Sequence, residues 1–407
     1  MKILHITPRY LPAIGGAEQL LAEQSRRFVA GGHEVTVVTS DALDFEYLWD
    51  PTKRRISERS AVIDGVQILR FPVQHLPLAP TSYHAVRRLL WLTGLTGFSR
   101  MAPKLKGLDG FLDKEGASFD LLGGMNIAYE GVLQCGLNAA KKHKRPFVVC
   151  PLTHLGAGDR PGGDSQSQFY TMPHQQRLVQ ASTALIAQTE TEAKFYADRG
   201  FPLEQITVSG PGIDPQTVQG GDGDAWRHAH GVHGPLVACI CTLSRDKGIP
   251  ELVEAFKRLS SENVTLALAG RITAELEPLL KSLNDQNILI LGQISHEEKC
   301  DLLAACDVFS MPSRIDSFGI AYLEAWANKK PVVAAESWGA ADVISVGHDG
   351  LLAPFGDVAA LAEKLDYLIK NRAERERMGE YGYQKIVNSQ TWDTKFKLVE
   401  EQYQKLV

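Results

Sequence analysis

Residues Pro312–Val333 read PSRIDSFGIAYLEAWANKKPVV. Two acids, Asp316 and Glu324, stand eight positions apart in this stretch, and the small-residue turn Ser317-Phe318-Gly319-Ile320 follows the first. A turn of that kind entering a helix leaves backbone N–H groups unbonded at the positive end of the helix dipole, where a phosphate is stabilised. Eight positions is slightly more than two helical turns, which returns Glu324 to roughly the side of Asp316, deeper in the helix. An acid at the helix start, bare amides beside it and a second acid further in suit three parts of one ligand: a hydroxylated group, a diphosphate and a ribose.

On either side of this segment the chain alternates short apolar runs with amphipathic stretches. Lys2–Thr7, Glu34–Thr39, Phe119–Leu122 and Pro146–Cys150 read as strands, with helices at Ala17–Ala30 and Glu130–Lys142. A polar, Gly-rich stretch at Pro211–Gly234 marks a domain junction. The pattern then restarts. Strands are expected at Leu236–Cys241, Val264–Ala269, Ile288–Leu291, Val308–Met311 and Val332–Ala335, and helices at Pro250–Ser260, Glu275–Asn284, Glu297–Ala304 and Gly319–Ala327. Such alternation predicts two doubly wound parallel sheets. The domain expectation is an N-terminal acceptor-binding unit at 1–205 and a C-terminal donor-binding unit at 206–387. The amphipathic end, Thr391–Val407, is read as part of a helix from about 388 that packs back on the first unit.

With 407 residues, 44% hydrophobic and 22% charged, the chain has an ordinary globular composition. A formal charge of −5 argues against a dedicated nucleic-acid binder. Charge is uneven, with 23 Lys+Arg against 19 Asp+Glu in residues 1–200 and 20 against 29 thereafter. The six cysteines form no disulfide framework, and Cys239-x-Cys241 has the wrong spacing for a zinc knuckle. Reduced, mostly buried thiols fit the cytoplasm. MKILHITPRY reads as a strand rather than a signal peptide, and no run approaches the roughly 18 apolar residues of a membrane span.

The Pro312–Val333 segment also resembles the Glu-x7-Glu signature of the retaining glycosyltransferases of family 4, which have the GT-B fold. Phe318-Gly319, Leu323-Glu324-Ala325 and Pro331-Val332-Val333 carry the resemblance, and Asp316 stands where the family has its first Glu. The resemblance implies two Rossmann-like α/β lobes facing across a cleft and a nucleoside-diphosphate sugar as donor substrate, with no cofactor. It implies that the first acid binds sugar hydroxyls, that Glu324 accepts from the ribose hydroxyls, and that Gly319 and Ile320 offer N–H groups to phosphate. Asp316 is one methylene shorter than Glu, which bears on the choice of sugar.

Other segments fit the same frame. Lys247-Gly248, in Thr242–Gly248 (TLSRDKG), matches the family's phosphate-gripping Lys-Gly, where a cation stabilises the departing diphosphate. Thr242 stands where the family usually has an Arg. Losing a charged hydrogen bond costs about 1.5–3 kcal/mol, and Arg245 in the same loop is the candidate to supply that charge. His154, in CPLTHLG after a strand, falls where family members place a His near the donor sugar; loops at strand C-termini are where such folds bind ligands. Gly15-Gly16 begins a helix after the first strand, and the family's Gly-Gly there touches the diphosphate. With no third glycine it is not a dinucleotide fingerprint, which counts against a dehydrogenase. Gly270 matches a Gly-rich turn beside the nucleotide, and Ile294 lines the base or belongs to the core.

Over residues 51–107 there are ten Lys+Arg and two Asp+Glu, and Ser82–Gly107 combines Arg87, Arg88, Arg100, Lys104 and Lys106 with Leu89, Leu90, Trp91, Leu92, Phe98 and Met101. Such a mixture suits an anionic membrane surface, worth up to roughly 5 kcal/mol for five bases, or equally a helix packed on its own lobe. The expectation is a retaining, metal-independent hexosyltransferase using a nucleotide sugar. Its acceptor would be a lipid-linked sugar or glycan of cell-envelope polysaccharide, lipopolysaccharide or glycolipid biosynthesis, with contact at the cytoplasmic face of the membrane. A nucleotide-sugar epimerase on the same fold and a non-catalytic sugar-nucleotide binder are the alternatives. No acid cluster has the look of a metal site.

Overall fold

A computed structural model describes residues 1–95, 103–165 and 167–407, with all side chains except those of His84, Arg87 and Trp91. Of the basic and apolar segment read above, Arg87 and Trp91 (as side chains) and Phe98, Arg100 and Met101 therefore lie outside the described residues. The chain divides into two compact units. One comprises Met1–Thr153, Ser165–Gly210 and Phe396–Val407, and the other His154–Asp164 and Pro211–Lys395.

The first unit carries strands β1 (Lys2–Ile6), β2 (Glu34–Ser40), β3 (Ser60–Ile63), β4 (Val66–Phe71), β5 (Val73–Gln74), β6 (Lys104–Leu105), β7 (Leu121–Met125), β8 (Phe147–Cys150), β9 (Ala184–Ala187) and β10 (Ile206–Val208). Eight of them form one sheet in the order β10-β9-β8-β7-β1-β2-β4-β3. It is parallel except at its β3–β4 edge, where Ile63 pairs with Val66 across a tight turn. Its helices are α1 (Gly16–Ala30), α2 (Thr81–Thr93), α3 (Leu108–Glu115), α4 (Glu130–His143), α5 (Pro173–Gln180) and α6 (Glu190–Ala197). Central strands such as β1 and β7 are buried throughout or nearly so, as parallel strands covered on both faces must be.

The second unit has helices α7 (Gly223–Ala229), α8 (Ile249–Phe256), α9 (Glu277–Ser282), α10 (His296–Ala305), α11 (Ile320–Ala327), α12 (Trp338–Val343), α13 (Val358–Lys370) and α14 (Arg372–Ser389), and the start of α15 (Trp392–Gln404). Its strands are β11 (Leu236–Ile240), β12 (Thr265–Ala269), β13 (Ile288–Gly292), β14 (Val308–Met311), β15 (Val332–Ala335) and β16 (Gly350–Ala353). They form one wholly parallel sheet in the order β13-β12-β11-β14-β15-β16. The strand order reverses direction between β11 and β14, and in parallel α/β sheets ligands bind at the carboxyl ends of strands at such a switch point. Both segments that carry the candidate residues, the loop after β11 and the loop after β14, leave the sheet there.

The end of α15 belongs to the first unit: Phe28 is fully buried and stacks with Tyr403 at 4.9 Å between ring centroids and edge-on with Phe396 at 4.8 Å. The segment His154–Asp164 belongs to the second unit. Trp338 holds it by donating from its backbone N to Gly156 O and from Nε1 to Gly158 O, each at 3.0 Å, and Arg314 faces Asp164 at 3.6 Å.

Candidate active site

The site is built by two loops of the second unit that are stitched together through their backbones. Gly248 caps α8 at φ +71, a conformation other residues rarely adopt, and a Cβ there would overlap the carbonyl oxygen of Pro312. Arg314 N donates to Asp246 O at 2.9 Å, and Ser313 Oγ donates to the same oxygen at 3.3 Å. This close approach sets Lys247 against Asp316, whose Oδ1 accepts a short hydrogen bond from Lys247 Nζ. The two side chains are 22% and 12% exposed, so the pair is largely desolvated.

Such a pair is held by mutual charge rather than by solvent. Burial pushes the Asp316 carboxyl up, but the charge and hydrogen bond of Lys247, followed by His154 and Ser313, more than offset it, so the carboxyl lies below its ordinary range. Burial alone would lower the Lys247 ammonium, and the adjoining Asp316 carboxylate reverses that. Asp316 Oδ2 is buried with no hydrogen-bond partner among the described residues. His154 lies within the field of both groups. Burial lowers its pKa to about 4, with Asp316 pulling up and Lys247 pushing down. Its imidazole is therefore neutral at pH 7 and can donate one hydrogen bond and accept another.

Helix α11 starts beside Asp316. Gly319 caps it at φ +93, where a Cβ would strike the ring of Tyr322, and Tyr322 OH donates to Met311 O at 2.9 Å, tying the helix to the end of β14. The first N–H groups of α11, those of Ile320 and Ala321, have no intrahelical acceptor. Two turns on, Glu324 is 8% exposed and accepts from Lys299 Nζ at 2.6 Å. Lys299 comes from α10, and nothing in its local sequence, HEEKCDL, signals the pairing.

The structure thus brings His154, Lys247 and Asp316 together beside the start of α11, with Gly319, Ile320 and Glu324 on that helix. The other candidates have these local surroundings. Phe318 is buried at 6% in the core of its unit. Ile294 packs against the Trp226 cluster, the plain-core alternative noted above. Gly270 sits where a Cβ would overlap Cys241 O, so the backbone approach of β11 and β12 accounts for it. Arg245 is half exposed and donates from Nε to Glu275 at 2.8 Å, a surface pair of the kind worth little. Its guanidinium is engaged with Glu275, and Thr242 itself is exposed. Gly15 and Gly16 begin α1 in the first unit. The absent Cβ of Gly15 makes room for the buried Arg9–Glu18 pair at 2.6 Å, with Arg9 also donating to Ile14 O at 2.9 Å. Among the described residues no group of three or more His, Cys, Asp or Glu could hold a metal ion.

Residues 15–212 match the family model of a glycosyl transferase 4-like domain, and residues 224–385 match that of glycosyl transferases group 1. The chain belongs to the family 4 glycosyltransferases and has their GT-B fold. It is 30% identical over 243 residues to the D-inositol 3-phosphate glycosyltransferase of Stackebrandtia nassauensis, covering 55% of this chain and 54% of that protein. It is 30% identical over 170 residues, 39% of this chain and 44% of the relative, to the GDP-mannose-dependent monoacylated alpha-(1-6)-phosphatidylinositol monomannoside mannosyltransferase of Corynebacterium glutamicum. The matches thus span about half the length of these curated relatives. Among solved structures, Anabaena HepE in complex with UDP and glucose superimposes with a TM-score of 0.73 at 20% identity over 100% of both chains. The lipopolysaccharide-biosynthesis glycosyltransferase WaaG gives 0.66 at 16% identity, again over 100% of both chains.

The depressed pKa of His154 gives a pH test. A folded-state pKa of about 4 against an ordinary 6.5 means that the unfolded chain binds more protons between these values. Stability is therefore lost as pH falls through that window. The difference in melting temperature between wild type and His154→Gln should shift in favour of the variant on going from pH 7 to pH 4; a constant difference would show that His154 is not buried in neutral form.

Proposed function

We propose that this chain transfers a sugar from a nucleoside-diphosphate sugar to an acceptor hydroxyl, with retention of anomeric configuration and without a metal ion. The observation that carries the reading is the meeting of Lys247, Asp316 and His154 at the amino end of α11. In this reading the diphosphate lies against the α11 N–H groups and Lys247, the sugar hydroxyls against Asp316 and His154, and the ribose against Glu324.

Transfer breaks the bond from the anomeric carbon to the phosphate oxygen and forms one to the acceptor oxygen on the same face. The acceptor's proton passes to an oxygen of the leaving diphosphate. Charge grows on that diphosphate as the bond breaks, and a fixed cation with oriented N–H groups lowers the barrier by being in place beforehand. Asp316 is a poor candidate for a covalent nucleophile because its carboxylate is engaged with Lys247. Neutral His154 suits hydrogen bonding to a sugar hydroxyl without adding charge beside the anomeric centre.

The donor and acceptor chemistry draws on the relatives. HepE was solved with UDP and glucose, and one relative is described as using GDP-mannose on a phosphatidylinositol mannoside. An acceptor in glycolipid or envelope-glycan synthesis, reached at the cytoplasmic face of the membrane, fits the surface of α2. That helix buries Tyr83 and Leu90 yet leaves Leu89 and Leu92 exposed, with Leu78 and Leu95 exposed just beyond its ends. Arg88, Lys104 and Lys106 are also exposed. Apolar side chains beside bases bind anionic bilayers. No helix among the described residues is long and apolar enough to cross a membrane.

Thermal shift with UDP, GDP and ADP tests the donor site. One nucleotide should raise the melting temperature, and Glu324→Ala should remove most of that rise and lower kcat/KM for the donor at least about tenfold, through KM, as expected for a lost charge-assisted contact. Silence of all three nucleotides at millimolar concentration, or a wild-type kcat/KM for the donor in Glu324→Ala, would overturn the assignment. In flotation, the protein should rise with vesicles containing phosphatidylglycerol and not with purely phosphatidylcholine vesicles, and Leu89→Glu with Leu92→Glu should abolish this. Equal behaviour of the two vesicle types would remove the membrane from the account.

A further inference from the structure

The acid read as the ribose ligand does not stand alone. Glu324 Oε1 accepts from Lys299 Nζ at 2.6 Å, and the two side chains are 11% and 21% exposed. This hydrogen bond engages Oε1 of the Glu324 carboxylate. The two groups come from different elements, α11 and α10, and each is set by its own backbone. Helix α10 is capped by Ser295, whose Oγ accepts from Glu298 N at 3.1 Å, and is anchored by the buried Leu302 and Leu303. Helix α11 is anchored by Tyr322 and by Trp326, whose Nε1 donates to Asp349 O at 2.8 Å. The Lys299–Glu324 contact therefore spans two fixed supports.

We infer that Lys299 is a positioning residue for donor recognition, acting through Glu324; this rests on the donor reading above. Two physical effects follow from the contact. The first is orientation. A glutamate has three side-chain torsions to freeze, and a hydrogen bond to one carboxylate oxygen leaves the other aimed for the ribose hydroxyls, so less entropy is lost on binding. The second is charge. A lone carboxylate beside the ribose would repel the donor's diphosphate, and the ammonium of Lys299 cancels that charge where solvent screens it little. Ribose contacts are made equally before and during transfer, so their loss raises KM and leaves kcat nearly unchanged.

The test compares UDP, GDP and ADP, each with its 2′-deoxy counterpart, by calorimetry on wild type, Lys299→Met, Lys299→Arg and Glu324→Gln. For the nucleotide that binds, Lys299→Met should weaken affinity about threefold to tenfold, the range left for a charged hydrogen bond that is partly exposed. It should change affinity for the 2′-deoxy form less than about twofold, Lys299→Arg should restore most of the loss, and Lys299→Met combined with Glu324→Gln should be no worse than Glu324→Gln alone. With a donor in hand, Lys299→Met should raise KM without lowering kcat. Unchanged affinity in Lys299→Met, or equal loss of the ribose and deoxyribose forms, would overturn the role of Lys299 while leaving the donor site standing. Failure of the wild type to bind any of the three would overturn both. Melting temperatures of the unliganded variants identify any that misfold, and Lys299→Arg keeps the test open if Lys299→Met does.

Discussion

The site depends on one close backbone approach, that of Gly248 to the carbonyl of Pro312. Without it the loop after β11 could not lie against the loop after β14, and Lys247 could not reach Asp316. The ion pair that results is costly to assemble, because two charges leave water, and costly to break singly, because the survivor is left buried. This is a poor way to gain stability and a good way to hold two charges ready. In the proposed reading, a phosphate at Lys247 and a sugar hydroxyl at Asp316 would each replace one partner by another with no fresh desolvation of the pair. Asp316, one methylene shorter than a glutamate, keeps its carboxylate beside Lys247 and in the field of the neutral imidazole of His154.

Lys299 and Glu324 repeat this arrangement two turns along α11. Each acid of the signature thus carries its own lysine, and both lysines come from other elements of the same unit. The acids alone would face a dianionic diphosphate with like charge. Paired, they present hydrogen-bond acceptors without net negative charge, which suits a polyhydroxyl ligand attached to phosphates. The buried Arg9–Glu18 pair at the start of α1 shows that the first unit, too, neutralises an acid beside a helix amino terminus.

Much of this fold was legible in the sequence. The mainly apolar runs at Val308–Met311 and Val332–Ala335 form strands over those residues, as parallel strands buried on both faces do, and the polar Ser310 is accommodated by donating to Val333 O at 3.0 Å. The β3–β4 hairpin was not read, although Asp64-Gly65 between Ser60 and Phe71 is the pattern of a two-residue turn, and both residues take positive φ. In the site, Lys247, Asp316 and Glu324 stood out because each belongs to a short local pattern. Arg245 was read from proximity in sequence, but a loop side chain pairs with whatever faces it, here Glu275. Lys299 left no trace, since its meaning lies in a contact made 25 residues away. The allegiance of His154–Asp164 to the second unit was equally hidden, because it is fixed by Trp338 and Arg314, far along the chain.

The most direct test of the central claim is to separate the two halves of the Lys247–Asp316 pair by titrating Lys247→Met and Asp316→Asn with the nucleoside diphosphate and with its sugar conjugate. If the lysine serves the diphosphate and the aspartate serves the sugar, Lys247→Met should lose affinity for both ligands about tenfold or more. Asp316→Asn, which frees Lys247 of its partner, should bind the bare nucleotide at least as tightly as wild type and lose only the gain that the sugar confers. Wild-type nucleotide binding by Lys247→Met, or loss of the bare nucleotide by a folded Asp316→Asn, would contradict the account.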